Sequence, residues 1–206
     1  MGLLMGLEVE KQRLREEVWN SLERNGIALP PLPCRGRIPN FKGALQAALN
    51  LRRLEEYRKA EAILVNPDSA QYHVRRLALL DGKTVVMATP RLKSGFLVLR
   101  PNAVKGREGE AATIKGAFKY GEREPVVPKV DLVVEGSVAV DLKGNRLGKG
   151  GGYGDVEIRM VKERWGPSIK VVTTVHSTQV VGRVPAAGKD ERVDYIVTEK
   201  GVFKVF

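Results

Sequence analysis

One cysteine, Cys34, stands in 206 residues. No internal disulfide can form, and the chain reads as one suited to a reducing, cytoplasmic compartment. The two histidines, His73 and His176, lie too far apart in sequence to suggest a zinc site. Aromatic residues are only 6% of the chain, and they do not interleave with basic clusters as they do in single-strand nucleic-acid binders. Trp19 and Trp165 read as packing residues. No apolar run approaches the ~20 residues that a membrane-spanning helix needs. Residues 1–7 are too short and too uncharged to be expected as a signal peptide. No Gly-Lys-Ser/Thr completes a Walker loop, and no glycine fingerprint follows the first strand as in dinucleotide folds. No Ser-His-Asp set or reactive cysteine offers a nucleophile.

What is present is charge and enough apolar residue to fill a core. Lys plus Arg outnumber Asp plus Glu by 35 to 24, a net charge of +11, and 43% of residues are hydrophobic. Such a surface favours anionic partners such as nucleotides, polyanionic cofactors or RNA.

The hydrophobic spacing predicts a helix over 6–24, an extended proline-rich connection over 27–40 and a second helix over 41–59. Strand 62–65, a turn at 66–69, a helix through Leu80 and strand 84–88 make a βαβ unit. A strand is expected near 95–99, one short helix within 102–120, and strands at 131–134 and 137–140. A helix from about Tyr153 and strands near 168–174, 179–181 and 195–198 complete the order. No linker interrupts this alternation. The expectation is one α/β domain over 1–206 with a mainly parallel sheet.

The chain is punctuated at Gly144-Asn145-Arg146-Leu147-Gly148-Lys149-Gly150-Gly151-Gly152-Tyr153-Gly154-Asp155, where six of twelve residues are glycine. A glycine run exposes backbone N–H groups, and a helix starting near Tyr153 adds the positive end of its dipole. Arg146 and Lys149 add full charges, and Asp155 supplies a carboxylate for a magnesium ion riding on phosphate. A solvated hairpin loop is the competing reading. On the first helix, Lys11 and Arg15 are four residues apart and share a face; a solvated basic edge would look the same.

These residues resemble the 5-formyltetrahydrofolate cyclo-ligase family. The glycine stretch resembles its nucleotide loop, and Lys11-Gln12-Arg13-Leu14-Arg15 its N-terminal Lys-x-x-x-Arg. Asp131-Leu132-Val133-Val134 matches the strand that leads to the loop. Val184-Pro185 with Lys189-Asp190 and Asp194-Tyr195-Ile196-Val197-Thr198 resembles the closing segment. Gly36-Arg37-Ile38-Pro39-Asn40-Phe41 and Asn66-Pro67-Asp68 look like the divergent, methenyltetrahydrofolate synthetase domain-containing branch. The resemblance implies an α/β sheet with helices on both faces, similar to sugar-phosphate isomerases and CoA transferases.

It also implies site roles. Lys11 and Arg15 would hold ATP phosphate. Arg146, Leu147, Gly148, Lys149, Gly150, Gly151, Gly152, Tyr153 and Gly154 would form the nucleotide loop, of which Lys149 to Tyr153 would also face folate, and Asp155 and Asp190 would bind Mg²⁺. Three positions depart from the family pattern. Gly154 stands where a second tyrosine is frequent, Lys189 replaces a histidine, and no acid occupies the place of the substrate-binding glutamate, which falls near Ala70. Gln71, beside it, is the nearest group able to hydrogen-bond a pterin edge without charge.

The chemistry that the resemblance implies converts a formamide oxygen into a leaving group by phosphorylation, after which a folate nitrogen closes the ring. Positioning and charge neutralisation suffice for this, with Lys149 and Arg146 as the expected catalytic cations. Two readings stay open. One is an ATP- and Mg²⁺-dependent cyclo-ligase acting on a folate-type substrate; the other is a nucleotide- or RNA-binding protein on the same scaffold without that activity.

Overall fold

The computed structural model describes residues 2–188 and 190–205, with side chains from Met5 onward. The elements run α1 (Gly2–Arg24), β1 (Ala28–Leu29), β2 (Asn40–Phe41), α2 (Ala44–Leu51), α3 (Glu55–Lys59), β3 (Ala62–Val65), α4 (Tyr72–Leu80), β4 (Thr84–Ala88), β5 (Phe96–Leu99), α5 (Glu108–Ala111), α6 (Ile114–Tyr120), β6 (Glu122–Glu124), β7 (Leu132–Glu135), β8 (Ala139–Asp141), β9 (Arg146–Leu147), α7 (Tyr153–Trp165), β10 (Lys170–Thr174), β11 (Val180–Val181), β12 (Tyr195–Thr198) and β13 (Gly201–Lys204).

Eight strands form the main sheet in the order β13-β12-β10-β7-β3-β4-β5-β6. The five inner strands from β12 to β4 are parallel, and β13, β5 and β6 join antiparallel at the edges. The sheet is therefore mainly parallel, as the alternation of elements predicts. The strands read as continuous apolar runs because both faces are covered. Alternate residues of each strand serve opposite faces. Ile63, Val65, Leu132 and Val134 pack with Leu51, Val74 and Ala117 from α2, α4 and α6. Leu64, Val133, Val171 and Ile196 pack with Ile158 and Val161 of α7. A third cluster joins Val18, Trp19 and Leu22 of α1 to Phe41, Ala47, Ala139 and Leu147. It fixes α1 beside the small sheet β11-β8-β9.

Two expectations change. The helix expected over 41–59 is two, α2 and α3. Asn50, buried near the end of α2, donates to Thr198 O at 2.8 Å and Glu199 O at 3.2 Å. The chain then turns at Leu54, whose backbone is extended, so that Leu54 and Tyr57 enter the core. Residues 102–120 hold two short helices rather than one, α5 and α6, of which Thr113 caps the second by accepting from Gly116 N at 3.0 Å.

The order β10-β7-β3-β4 places β4 and the later strand β7 on opposite sides of β3. That is a switch point, and open α/β sheets leave a crevice outside the carboxyl ends of their strands at such a point. The wall after β3 is held by Arg75 on α4. This guanidinium is 1% exposed, and its hydrogen bonds go to backbone carbonyls. It donates to Asn66 O at 2.6 Å, Asp68 O at 3.0 Å and Ala112 O at 2.8 Å, and burial lowers its pKa to about 10. Replacing Arg75 with methionine strands three buried carbonyl oxygens. At roughly 1–3 kcal/mol for each unsatisfied group, the variant should lose about 3 kcal/mol or more in urea unfolding. A loss under about 1 kcal/mol would show that the wall does not depend on it.

Candidate functional site

A cavity of about 800 Å³ opens at that crevice. Its walls are the ends of β3 (Asn66, Asp68), β4 (Ala88, Thr89, Pro90, Arg91) and β7 (Glu135, Gly136), one side of α1 (Lys11, Arg15), the glycine stretch, and the start of α7. Asp190 closes it from the C-terminal segment. A smaller cavity of about 440 Å³, between the α2–α3 elbow and the β12–β13 edge, contains none of the residues expected to bind ATP, metal or folate.

The large cavity gathers cations, and each inner one is matched. Lys11 Nζ lies 2.7 Å from Asp190 Oδ2, which also accepts from Ala187 N at 2.7 Å. Arg15 Nε donates to Gly148 O at 2.8 Å, tying α1 to the glycine loop, and burial lowers its pKa. Arg146 donates to Gly136 O at 3.0 Å and to Asp155 Oδ1 at 2.9 Å. Lys149 Nζ lies 2.7 Å from Asp68 Oδ1, while Asn66 Nδ2 holds the other oxygen of Asp68 at 2.6 Å. At the outer wall, Arg37 and Arg91 are exposed.

The loop is built as the glycine spacing suggests. Arg146 and Leu147 pair with β8, so Arg146 is buried and aimed inward. Gly150 (φ 113°) and Gly152 (φ 71°) then take left-handed conformations that favour glycine. Gly152 precedes the first turn of α7, whose free N–H groups face the cavity with Tyr153 at 39% exposure. Asp155 lies in that first turn and Lys162 and Arg164 in the last, which suits the dipole. The absence of a second tyrosine has a steric reason. A Cβ at Gly154 would stand 2.8 Å from Arg146 Nη2 and 3.0 Å from Glu135 Oε2.

The structure brings Lys11, Arg15, Arg146–Asp155 and Asp190 to one cavity. Gln71 is placed differently. It is fully buried behind Gly136 and donates to Thr174 O at 3.1 Å and Thr174 Oγ1 at 2.9 Å. His176 caps a short turn against Thr178 and packs on Phe41, and is not part of the cavity lining. Lys189 lies outside the described residues.

Sequence reasoning missed Glu135 and Glu157. Glu135 ends β7 at 2% exposure, and Glu157, on the inner face of α7, is 5% exposed. Both line the cavity. Burial, chiefly, pushes Glu157 up to about 7 and Glu135 well above the usual carboxylate range; nearby Asp68 adds to both and Arg146 offsets both. One oxygen of each acid, Glu135 Oε1 and Glu157 Oε2, has no hydrogen-bond partner. The available signal was an acid closing an otherwise apolar strand, Leu132-Val133-Val134-Glu135, at its carboxyl end.

For a metal, the donors suit one ion class. Magnesium takes one or two carboxylates together with waters and ligand phosphates, and Asp155 and Asp190 both face the cavity. Among the described residues no group of three or more His, Cys, Asp or Glu side chains forms a cage for an ion. The residues fit an ion that arrives with phosphate. Among the described residues no helix is long and apolar enough to cross a membrane.

Residues 8–199 match the 5-formyltetrahydrofolate cyclo-ligase family, and the chain belongs to it. It is 42% identical over 200 residues to a methenyltetrahydrofolate synthase domain-containing protein of Bos taurus, and 39% identical over 200 residues to the one of Homo sapiens. Each alignment covers 92% of this chain and 52% of the relative, so the chain spans about half the length of the curated relatives it matches. Among solved structures, the 5,10-methenyltetrahydrofolate synthetase of Aquifex aeolicus superposes with a TM-score of 0.60 at 24% identity, covering 95% of this chain and 92% of that one. The synthetase of Mycoplasma pneumoniae gives 0.57 at 11% identity, covering 92% and 99%. Both share the fold.

The Lys149–Asp68 pair yields a test of charge competition in the cavity. Its lysine side chain is 42% exposed, and ion pairs of this exposure are worth about 0.2–1 kcal/mol. Asp68→Asn should free Lys149 and strengthen tripolyphosphate binding by roughly two- to five-fold in calorimetry, at 1.4 kcal/mol per decade. Lys149→Ala should weaken it. Equal affinities in wild type and both variants would remove Lys149 from the anion site.

Proposed function

We propose that this chain is an ATP- and Mg²⁺-dependent cyclo-ligase that converts 5-formyltetrahydrofolate, or a related reduced pterin, to the 5,10-methenyl form with release of ADP and phosphate. The observation that carries this reading is convergence. Side chains from positions 11, 15, 146, 149, 155 and 190 face one cavity, at the N-terminus of α7 and outside the carboxyl ends of the sheet. That is where this type of fold binds phosphate.

In this reading Lys11, Arg15 and Lys149 neutralise the triphosphate, and the N–H groups of residues 148–154 cradle it. Asp155 and Asp190 hold Mg²⁺, which supplies further charge neutralisation when bound. An ion there would take these acids from Arg146 and Lys11, leaving both cations to the phosphate oxygens. Arg146, anchored on Gly136 O, would then offset the negative charge on the oxygen that leaves with phosphate as the folate nitrogen closes the ring. Tyr153 and the apolar wall of Ile38, Ala88 and Ile114 hold the folate rings and exclude water. Gln71 supports this wall from behind Gly136. No nucleophilic side chain is required.

The net charge of +11 favours a second reading, a nucleotide or RNA binder without turnover. One experiment separates the two. The protein is incubated with ATP, Mg²⁺ and 5-formyltetrahydrofolate, and the methenyl absorbance and ADP are followed together. The cyclo-ligase reading expects both products in equal amounts, none without Mg²⁺, and a kcat/KM about 10- to 150-fold lower for Lys149→Ala, the loss of one charge-assisted contact of roughly 1.5–3 kcal/mol. ATP binding with neither product would leave the binder reading.

A further inference from the structure

Several buried atoms of the cavity lack hydrogen-bond partners, and they are mostly of one kind. Glu135 Oε1, Glu157 Oε2, Asn66 Oδ1 and Gln71 Oε1 are all acceptors. They are contiguous. Glu135 and Glu157 line the same cavity, Glu135 precedes Gly136, and a Cβ on Gly136 would stand 2.8 Å from Gln71 Oε1 and 3.0 Å from Asn66 Nδ2. Asn66 Nδ2 donates to Asp68 and Gln71 Nε2 to Thr174, so the oxygen of each amide is left without a partner. A fold leaves few such groups unsatisfied, and each one calls for an explanation.

We infer that Glu135 and Glu157 form a subsite for a planar heterocycle with adjacent N–H donors, and that in the proposed reaction they hold the 2-amino-4-oxopyrimidine edge of the pterin. The inference rests on the folate reading above. Each acid offers one unpartnered buried oxygen, and the ring N–H and exocyclic amine of this edge present two donors side by side, one for each. A free ammonium or guanidinium suits the place less well, because Arg146 and Lys149 already act on these acids. Ile38 and Ala88 line the same cavity and give a flat ring apolar surface. The place near Ala70 holds no carboxylate, and here one is supplied from β7 and another from α7.

Equilibrium binding without ATP tests this, with two probes, 5-formyltetrahydrofolate and free pterin, on wild type, Glu135→Gln and Glu157→Gln, with ATP affinity and thermal midpoint measured on each. The expected result is at least ten-fold weaker binding of both probes in Glu135→Gln, exceeding any change in ATP affinity by ten-fold, with a midpoint equal to or above wild type. Glu157→Gln should show the same direction. A smaller loss for both variants, or no pterin binding by wild type, overturns the subsite. Pterin binding that the variants lose, without any 5-formyltetrahydrofolate binding by wild type, keeps the subsite and removes the folate reading.

Discussion

Three ion pairs hold this cavity together: Lys11–Asp190, Lys149–Asp68 and Arg146–Asp155. The first joins residues 179 apart in sequence and the second residues 81 apart. They fasten α1 to the C-terminal segment and the glycine loop to the turn after β3. Charges brought out of water cost several kcal/mol each unless a partner and further hydrogen bonds compensate. Here Gly136 O, Ala187 N and Asn66 Nδ2 complete the set. The arrangement is self-neutralising, and this lets a cavity so rich in cations exist without a ligand. It also sets the terms for binding, because an incoming anion must compete with an acid for Lys11, Arg146 and Lys149.

Behind the pairs, the sheet accounts for position. Parallel order from β12 to β4 puts five strand ends on one side, and the switch between β3 and β7 opens the crevice there. The cations come from α1 and β9, the free N–H groups from α7, and the wall from the backbone clamped by Arg75. An acid floor at Glu135 and Glu157 completes a cavity whose two ends differ in chemistry. Phosphate suits the loop end, and N–H donors suit the floor.

Much of this was legible in the sequence, for local reasons. The strands are short apolar runs with sharp ends, and the glycine stretch marks both the loop and the start of α7 within a residue. Lys11 and Arg15 share a face because a helix dictates it. What was not legible depends on tertiary packing. The break between α2 and α3 follows from Asn50 reaching the end of β12, a contact 148 residues away. Gln71 was expected at a pterin edge, yet Thr174 holds it behind Gly136. Glu135 and Glu157 lie 22 positions apart, on a strand and a helix, and only the packing of α7 on the sheet brings them together. Gly154 read as a departure from the family pattern, and the space its hydrogen leaves is taken by Arg146 and Glu135.

If the cavity takes ATP as proposed, phosphate displaces the acids from its cations. A crystal structure with a non-hydrolysable ATP analogue and Mg²⁺ tests it most directly. The expected result places the triphosphate against residues 148–154, with Lys11 and Lys149 moved from Asp190 and Asp68 onto phosphate oxygens and the carboxylates of Asp155 and Asp190 turned to the metal. A nucleotide bound elsewhere, or bound here with all three ion pairs intact, would contradict it.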